Sequence, residues 1–176
     1  MSRIIIVDEN DNPIGVKERE EVGPGDVYRC SAVWITNSKK QTLLQQRAFS
    51  KKVQPGKWGT AAAGAIDEGE DYEINAVKET AEELGIVIDA RQLTVGPKRL
   101  VHVQGHSFFC QWYLYVTDTP LEEMRLQDEE VATARWFEPD ELQKMLQEHP
   151  DQFFGNSPEW FKEIMQSTNV LNAPSK

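Results

Sequence analysis

The stretch from Gly64 to Ile86, GAIDEGEDYEINAVKETAEELGI, decides how this chain reads. Its second half carries the marks of a helix over Tyr72–Leu84. Asp71 is a suitable N-cap, Gly85 a suitable stop, and no proline intervenes. With Glu79 set at 0° and about 100° added per residue, Glu82 falls near −60° and Glu83 near +40°. Ile74, Val77, Ala81 and Leu84 fall between about 140° and 220°. The expectation is a helix that packs on that apolar side and presents three carboxylates on the other. An exposed patch of this kind repels itself by several tenths of a kcal/mol per pair, roughly. Glu82 and Glu83 also sit at the unfavourable end of the helix dipole. Stability alone does not select the arrangement. A hard divalent cation, which prefers carboxylate oxygens, resolves it; the alternative is a solvated acidic face in an acidic protein.

From Gly64 onward, five residues lead to Glu70, seven more lead to Lys78-Glu79, and then come Thr80, Ala81, Glu82, Glu83, Leu84, Gly85 and Ile86. This spacing resembles the Nudix signature G-x5-E-x7-R-E-U-x-E-E-x-G-U, in which U is a bulky aliphatic residue. Both glycines and all four glutamates stand at their places, and Ile86 fits the last U. Chance would supply those glycines and glutamates about once in ten thousand chains of such composition. Two positions depart. Thr80 replaces an aliphatic residue, and Lys78 replaces an arginine, which keeps the charge but loses the bidentate fork toward Glu70. The flanks are similar to the family too: TLLQQR at 42–47, and ARWF at 134–137 followed by PDEL at 139–142. More narrowly, VDENDNPIG at 7–15 and LLQQRAFSKKVQPGKW at 43–58 resemble isopentenyl-diphosphate isomerase and its hydrolase relatives.

The resemblance implies an α+β fold, a Nudix-type α/β/α sandwich with a mixed β-sheet. It implies hydrolysis of a diphosphate linkage in a nucleoside-diphosphate-linked or related small molecule, with Mg²⁺ or Mn²⁺. Carried over by position, Glu79, Glu82 and Glu83 bind the metal, a backbone carbonyl of Ala63 or Gly64 adds a ligand, and Glu79 helps to deprotonate water. Glu70 and Lys78 stand behind Glu79 and orient it. Two alternatives stay open. Lys78 and Thr80 motivate a catalytically silent nucleotide- or diphosphate-binding module. An isomerase is disfavoured, because its Cys-Gly-His run corresponds to Ala63-Gly64-Ala65 and its His-Arg pair to Tyr28-Arg29. The thiol and the metal-binding imidazoles are missing.

Around this centre the residues themselves suggest weaker candidates. Arg47, Lys51, Lys52 and Lys57 are basic residues near an acidic site and are read as phosphate-binding, with a solvated loop as the alternative. Trp58 is expected to pack rather than stack on a base, and Trp34 and Trp112 to be core. Asp128, Glu129 and Glu130 form an acidic turn that could approach the metal. His102 and His106 read as strand or turn residues. Cys30 and Cys110, far apart in sequence, read as free buried thiols of a reducing compartment.

The 176 residues are 39% hydrophobic and 27% charged, suited to one core that buries about 70% of the unfolded chain's surface. Nineteen basic and 29 acidic residues give a net charge of −10, which opposes a nucleic acid polymer or an anionic membrane as partner. A phosphate-bearing ligand therefore needs a cation at its site. No apolar run reaches the roughly 18 residues of a membrane span. Ile4-Ile5-Ile6-Val7 is too short for a signal-peptide core, so a cytoplasmic protein is expected. The chain should open with a hairpin around Asp8–Pro13 and continue with strands at 31–35 and 42–46. A tight strand is expected within 59–64, then strands at 92–103, 107–116 and 131–137, and helices at 139–147 and 158–166. These elements are assigned to one catalytic domain, 1–147, with a helix and tail at 148–176 packed on it. A homodimer is left open.

Overall fold

The strand Val27–Thr36, VYRCSAVWIT, sorts the interior by simple alternation. Ala32 and Trp34 turn to one side of the sheet, Val33 and Ile35 to the other, and all four are buried. An unbroken apolar run of this kind is what a strand covered on both faces requires. In a computed structural model describing residues 2–156 and 158–171, this strand is β3. It follows β1 (Arg3–Val7) and β2 (Pro13–Glu18) and precedes β4 (Thr42–Arg47), β5 (Trp58–Gly59) and β6 (Ala62–Ala65). Helix α1 (Tyr72–Leu84), β7 (Thr94–Val103), β8 (His106–Val116), β9 (Val131–Phe137), α2 (Pro139–Glu148) and α3 (Pro158–Leu171) complete the order.

The sheet is mixed. One edge of β3 runs parallel to β8 along its whole length, from Val27 opposite Ser107 to Thr36 opposite Val116. Its other edge is shared in succession by three antiparallel strands: β1 at Val27 and Tyr28, β6 at Cys30 to Val33, and β4 at Ile35 and Thr36. β2 extends β1, β7 extends β8, and β5 and β9 flank β4. One apolar layer, under α2 and α3, gathers Trp34, Trp112, Phe137, Phe153 and Phe161. Trp34, Phe153 and Trp112 each meet Phe161 edge-on, at 5.2, 5.6 and 6.3 Å. The second layer, under α1, is built from Val33, Ile35, Leu43, Ala61, Ala62, Ala76 and Leu84. This is the α+β sandwich that the resemblance implies.

α1 begins and ends where the sequence places it. The Asp71 side chain accepts from the Ile74 backbone N–H at 2.8 Å, and Gly85 closes the helix at φ +70°. Its packed face, however, differs from the expected one. Ile74 is 54% exposed and Val77 and Ala81 are only half-buried, whereas Asn75, Ala76, Thr80, Glu83 and Leu84 are buried. The helix is thus rolled so that part of its acidic face lies on the sheet. Small residues on both sides, Ala76 and Thr80 against Ala61 and Ala62, make that close approach feasible. Thr80 sits in this layer with its hydroxyl donated to the Ala76 carbonyl at 2.8 Å, so the missing aliphatic residue leaves no unpaired polar atom.

Other differences are local. The expected small-residue strand is two short ones, β5 and β6. The expected strand at 92–103 begins only at Thr94, after a turn of tight helix at Ala90–Gln92. α3 runs on to Leu171, and the tail expected beyond it, 172–176, lies outside the described residues. Cys30 and Cys110 are brought face to face in the β3–β8 ladder, a neighbourhood their sequence separation hides. Both thiols are free. No described helix is long and apolar enough to cross a membrane.

Gly85 gives a direct test of the helix stop. A side chain there would adopt a left-handed conformation and meet the Arg125 backbone nitrogen at 3.1 Å. Gly85→Ala should lower stability by at least about 1–2 kcal/mol, measured as a shift of the urea midpoint.

Candidate functional site

The acidic residues of α1 face the short strand β6, whose residues Ala62 to Ala65 are too small to hold the helix away. The approach is closest at Gly64, where a Cβ atom would fall on the Glu79 carboxyl group. That contact explains the glycine. Glu79 and Glu83, one turn apart, lie on the sheet side of the helix, and Glu82 is exposed.

Glu83 is 4% exposed. Its Oε2 accepts from the Gln45 side-chain amide at 2.7 Å and from the Ala63 backbone N–H at 3.2 Å. Burial, with the Glu79 charge beside it, pushes the Glu83 carboxyl up to about 8. Burial likewise raises Glu79, to about 7, with Lys78 opposing the shift and Glu82 adding to it. Two adjacent carboxyls thus have values far above the ordinary 4.5. An unscreened pair of this kind resists double ionisation.

Lys78 meets the expected partner. Its Nζ lies 2.8 and 3.0 Å from the two Glu70 oxygens, and 3.1 Å from Asp67 Oδ2. Its distance to Glu79 Oε1 is 3.9 Å, an ion pair without a hydrogen bond. Asp67 was not singled out by the sequence. It also accepts from the Ser2 hydroxyl and pairs with Arg19 at 3.4 Å, tying the start of the chain to this support.

Two further residues escaped the sequence reading. Asn75, fully buried one turn before Glu79, places its amide nitrogen 3.2 Å from both Glu70 Oε2 and Glu79 Oε1. Gln45 holds Glu83 while its own buried Oε1 has no hydrogen-bond partner among the described residues. The available signals were slight. Asn75 lies at about −40° on the helical wheel, among the glutamates. Gln45 breaks the apolar run of β4.

The basic candidates are dispersed. Arg47 is half-buried, donates from Nε to the Val53 carbonyl at 3.1 Å, and lies over the Phe154 ring at 5.1 Å. Burial lowers its pKa, while Glu83 and Glu130 oppose the shift, so it belongs to the neighbourhood of the acidic pair. Lys51 is bound to Glu130 at 2.5 Å, Lys57 donates to the Asp151 carbonyl, and Lys52 is exposed. Of the acidic turn, Glu130 is near enough to raise Glu83, whereas Asp128 and Glu129 are exposed. Trp58 packs edge-on against Phe137 at 5.0 Å, and Trp34 and Trp112 are core. His102 bonds the Ser107 hydroxyl at 2.8 Å in the β7–β8 hairpin, and His106 lies edge-on to Tyr28 at 6.4 Å. The Cys110 thiol beside it, and then burial, push the Cys30 thiol well up, unlike an activated nucleophile.

Among the described residues, no three His, Cys, Asp or Glu side chains stand already gathered as a metal-binding set. The chemistry of the site still suits a hard divalent cation. Its donors are oxygens, two of the carboxyls have their charge suppressed by burial and by a neighbouring glutamate (Glu82 for Glu79, Glu79 for Glu83), and Glu82 adjoins them in solvent.

A family model described as the NUDIX domain matches residues 28–156. An uncharacterised Nudix hydrolase of Pseudomonas aeruginosa is 37% identical over 135 residues, 76% of this chain and 77% of that protein. An isopentenyl-diphosphate Delta-isomerase of Pectobacterium atrosepticum is 29% identical over 170 residues, 92% of this chain and 88% of that protein. The crystal structure of a Deinococcus radiodurans protein matches with a TM-score of 0.70 at 22% identity, covering 94% of this chain and 98% of that one. At that identity the likeness shows the fold.

Two measurements test the geometry. Glu79 and Glu83 have raised values when folded, so the native state holds their protons more tightly than the unfolded chain does. Their contribution is fully present below about pH 4.5 and is lost as pH rises through about 7 and 8. With chelator present, the urea midpoint should therefore fall across this window, and Glu83→Gln should flatten the fall. Asp11, Asp26 and Asp67 are shifted below their ordinary 3.8, so their contribution is constant across this window and is lost only as pH falls below it. Separately, Gly64→Ala should displace the Glu79 carboxyl while the sheet persists. Loss of about tenfold or more in Mn²⁺ affinity, at unchanged far-UV circular dichroism, is the expected result.

Proposed function

This chain belongs to the Nudix hydrolase family, and we propose that it cleaves a diphosphate linkage in a nucleoside-diphosphate-linked or related small molecule, with Mg²⁺ or Mn²⁺. The observation that carries this reading is the adjacent pair Glu79 and Glu83, held with raised pKa values against β6 and flanked by exposed Glu82. A binding partner of charge +2 relieves their repulsion and meets the need that a −10 chain has when its ligand is a diphosphate.

In this reading Glu79, Glu82 and Glu83, with the Gly64 carbonyl, hold the cation. The cation supplies charge neutralisation for the diphosphate and makes water more acidic. Glu79, beside the cation, also helps to deprotonate the attacking water. Glu70 and Lys78 orient it from behind. Arg47 is the most favourably placed basic residue for the distal phosphate. Its terminal nitrogens donate no hydrogen bond among the described residues, and a guanidinium fork matches phosphate oxygens. Lys52, exposed and without a partner among the described residues, can join it, while Lys51 and Lys57 must first leave Glu130 and the Asp151 carbonyl.

Isomerase relatives do not bring their reaction with them. The side chains of Ala63 and Ala65 can neither move a proton on an alkene nor ligate a metal, and the Cys30 thiol is held neutral.

The test is Mn²⁺ binding by calorimetry, followed by product-release assays with nucleotide sugars, dinucleotides, nucleoside triphosphates and prenyl diphosphates, in which phosphomonoester, phosphate and pyrophosphate products are resolved by ion-exchange chromatography. The parent chain should bind Mn²⁺, and Glu82→Gln and Glu83→Gln should each weaken binding by about tenfold or more. One substrate class should stand out, with no isomerisation of isopentenyl diphosphate detectable by NMR in deuterated water. Unchanged affinity in both variants, or no release from any compound, would overturn the proposal.

A further inference from the structure

Lys78 directs its hydrogen bonds away from Glu79, to Asp67 Oδ2 at 3.1 Å and Glu70 Oε2 at 3.0 Å, and its Nζ also lies 2.8 Å from Glu70 Oε1. Glu79, at 3.9 Å, receives only the field of the ammonium group. An arginine at this position would bring five donors in a planar fork, enough to serve both carboxylates. Lysine leaves a carboxyl that matters without a directional bond from this side.

Asn75 supplies that bond. Its amide nitrogen lies 3.2 Å from Glu79 Oε1, 3.2 Å from Glu70 Oε2 and 3.3 Å from the Ala65 carbonyl. Three acceptors around one nitrogen fix which end of the amide points there. The oxygen end accepts from the Ser31 hydroxyl at 2.6 Å, so β3 anchors the group. The residue is fully buried, hence the geometry is not averaged by solvent. Positions 75, 78 and 79 also share one face of α1, at spacings of three and four residues.

We infer that Asn75 is a positioning residue that aims Glu79 toward the cation and compensates for lysine in place of arginine at position 78. The inference rests on the metal-dependent reading above. It makes the two positions energetically coupled rather than merely adjacent.

The experiment is a four-protein cycle: parent, Asn75→Ala, Lys78→Arg and the double variant, each titrated with Mn²⁺ alone by electron paramagnetic resonance. Urea midpoints of the metal-free proteins control for folding. Asn75→Ala should weaken Mn²⁺ binding by about tenfold or more in the parent, but by less than about threefold in the Lys78→Arg background. If Asn75→Ala does not fold, Asn75→Leu, which keeps the branched shape and removes the amide, takes its place in the cycle. Equal losses in both backgrounds, or no loss in the parent, would overturn this inference alone. A parent chain that takes up no Mn²⁺ would overturn the metal-dependent reading and this inference with it.

Discussion

Two carboxyl groups pressed between a helix and a strand are the constraint on which the site depends. Burying ionisable oxygens is unfavourable unless donors meet them, and a like-charged neighbour adds to the cost. Here the donors come from the sheet and from the helix itself: the Ala63 backbone N–H and Gln45 for Glu83, Asn75 for Glu79. The side chains of β6 are reduced to methyl groups and a hydrogen, which lets α1 come close enough for those bonds to form. Gly64, Thr80 and the small-residue layer serve one end, the placement of carboxylate oxygens at a strand edge.

Positive charge around the pair is largely committed. Lys78 is bound between Asp67 and Glu70, and Lys51 is bound to Glu130. These pairs are half-buried, so they hold loops and helix in register more than they neutralise the site. The same economy explains the N-terminal hairpin. Asp11, at φ +65° in its turn, receives Arg29 at 2.7 Å, Lys98 at 2.5 Å and the Tyr72 hydroxyl at 3.0 Å. The turn is thereby locked over the first residue of α1, while Ser2 and Arg19 engage Asp67 behind the site. Both ends of the hairpin brace the helix that carries the glutamates.

The aromatic layer under α2 and α3 does different work. Aromatic rings from β3, β8, β9 and α3 interlock beneath the sheet, away from the carboxylates. Rigid packing there gives β3 a fixed position, from which Ser31 anchors Asn75. The dithiol Cys30 and Cys110 lies within this layer, paired by strand register rather than by any sequence spacing.

Much of this was legible in the chain itself, because local chemistry writes helix ends and strand periods directly. Asp71 and Gly85 mark the bounds of α1, and the strand Val131–Phe137 lies where it was expected. The spacing of Gly64, Glu70, Lys78, Glu79, Glu82 and Glu83 pointed to the family and so to the sandwich. Which way the helix rolls was not legible. Hydropathy ranks Ile74 above Glu83, yet Ile74 is exposed and Glu83 buried, because strand donors and a side-chain-free Gly64 offer the carboxylates what solvent would. Nor could the sequence show that Asn75 reaches Glu79, that Gln45 reaches Glu83, or that Lys51 is taken by Glu130. Those bonds join residues on different elements or depend on a rotamer, and only packing decides them. The sequence by itself determined where the elements lie and which acids share a helix. The tertiary structure decided which of those acids are buried and what holds them, since burial is a property of neighbours that the linear order does not specify.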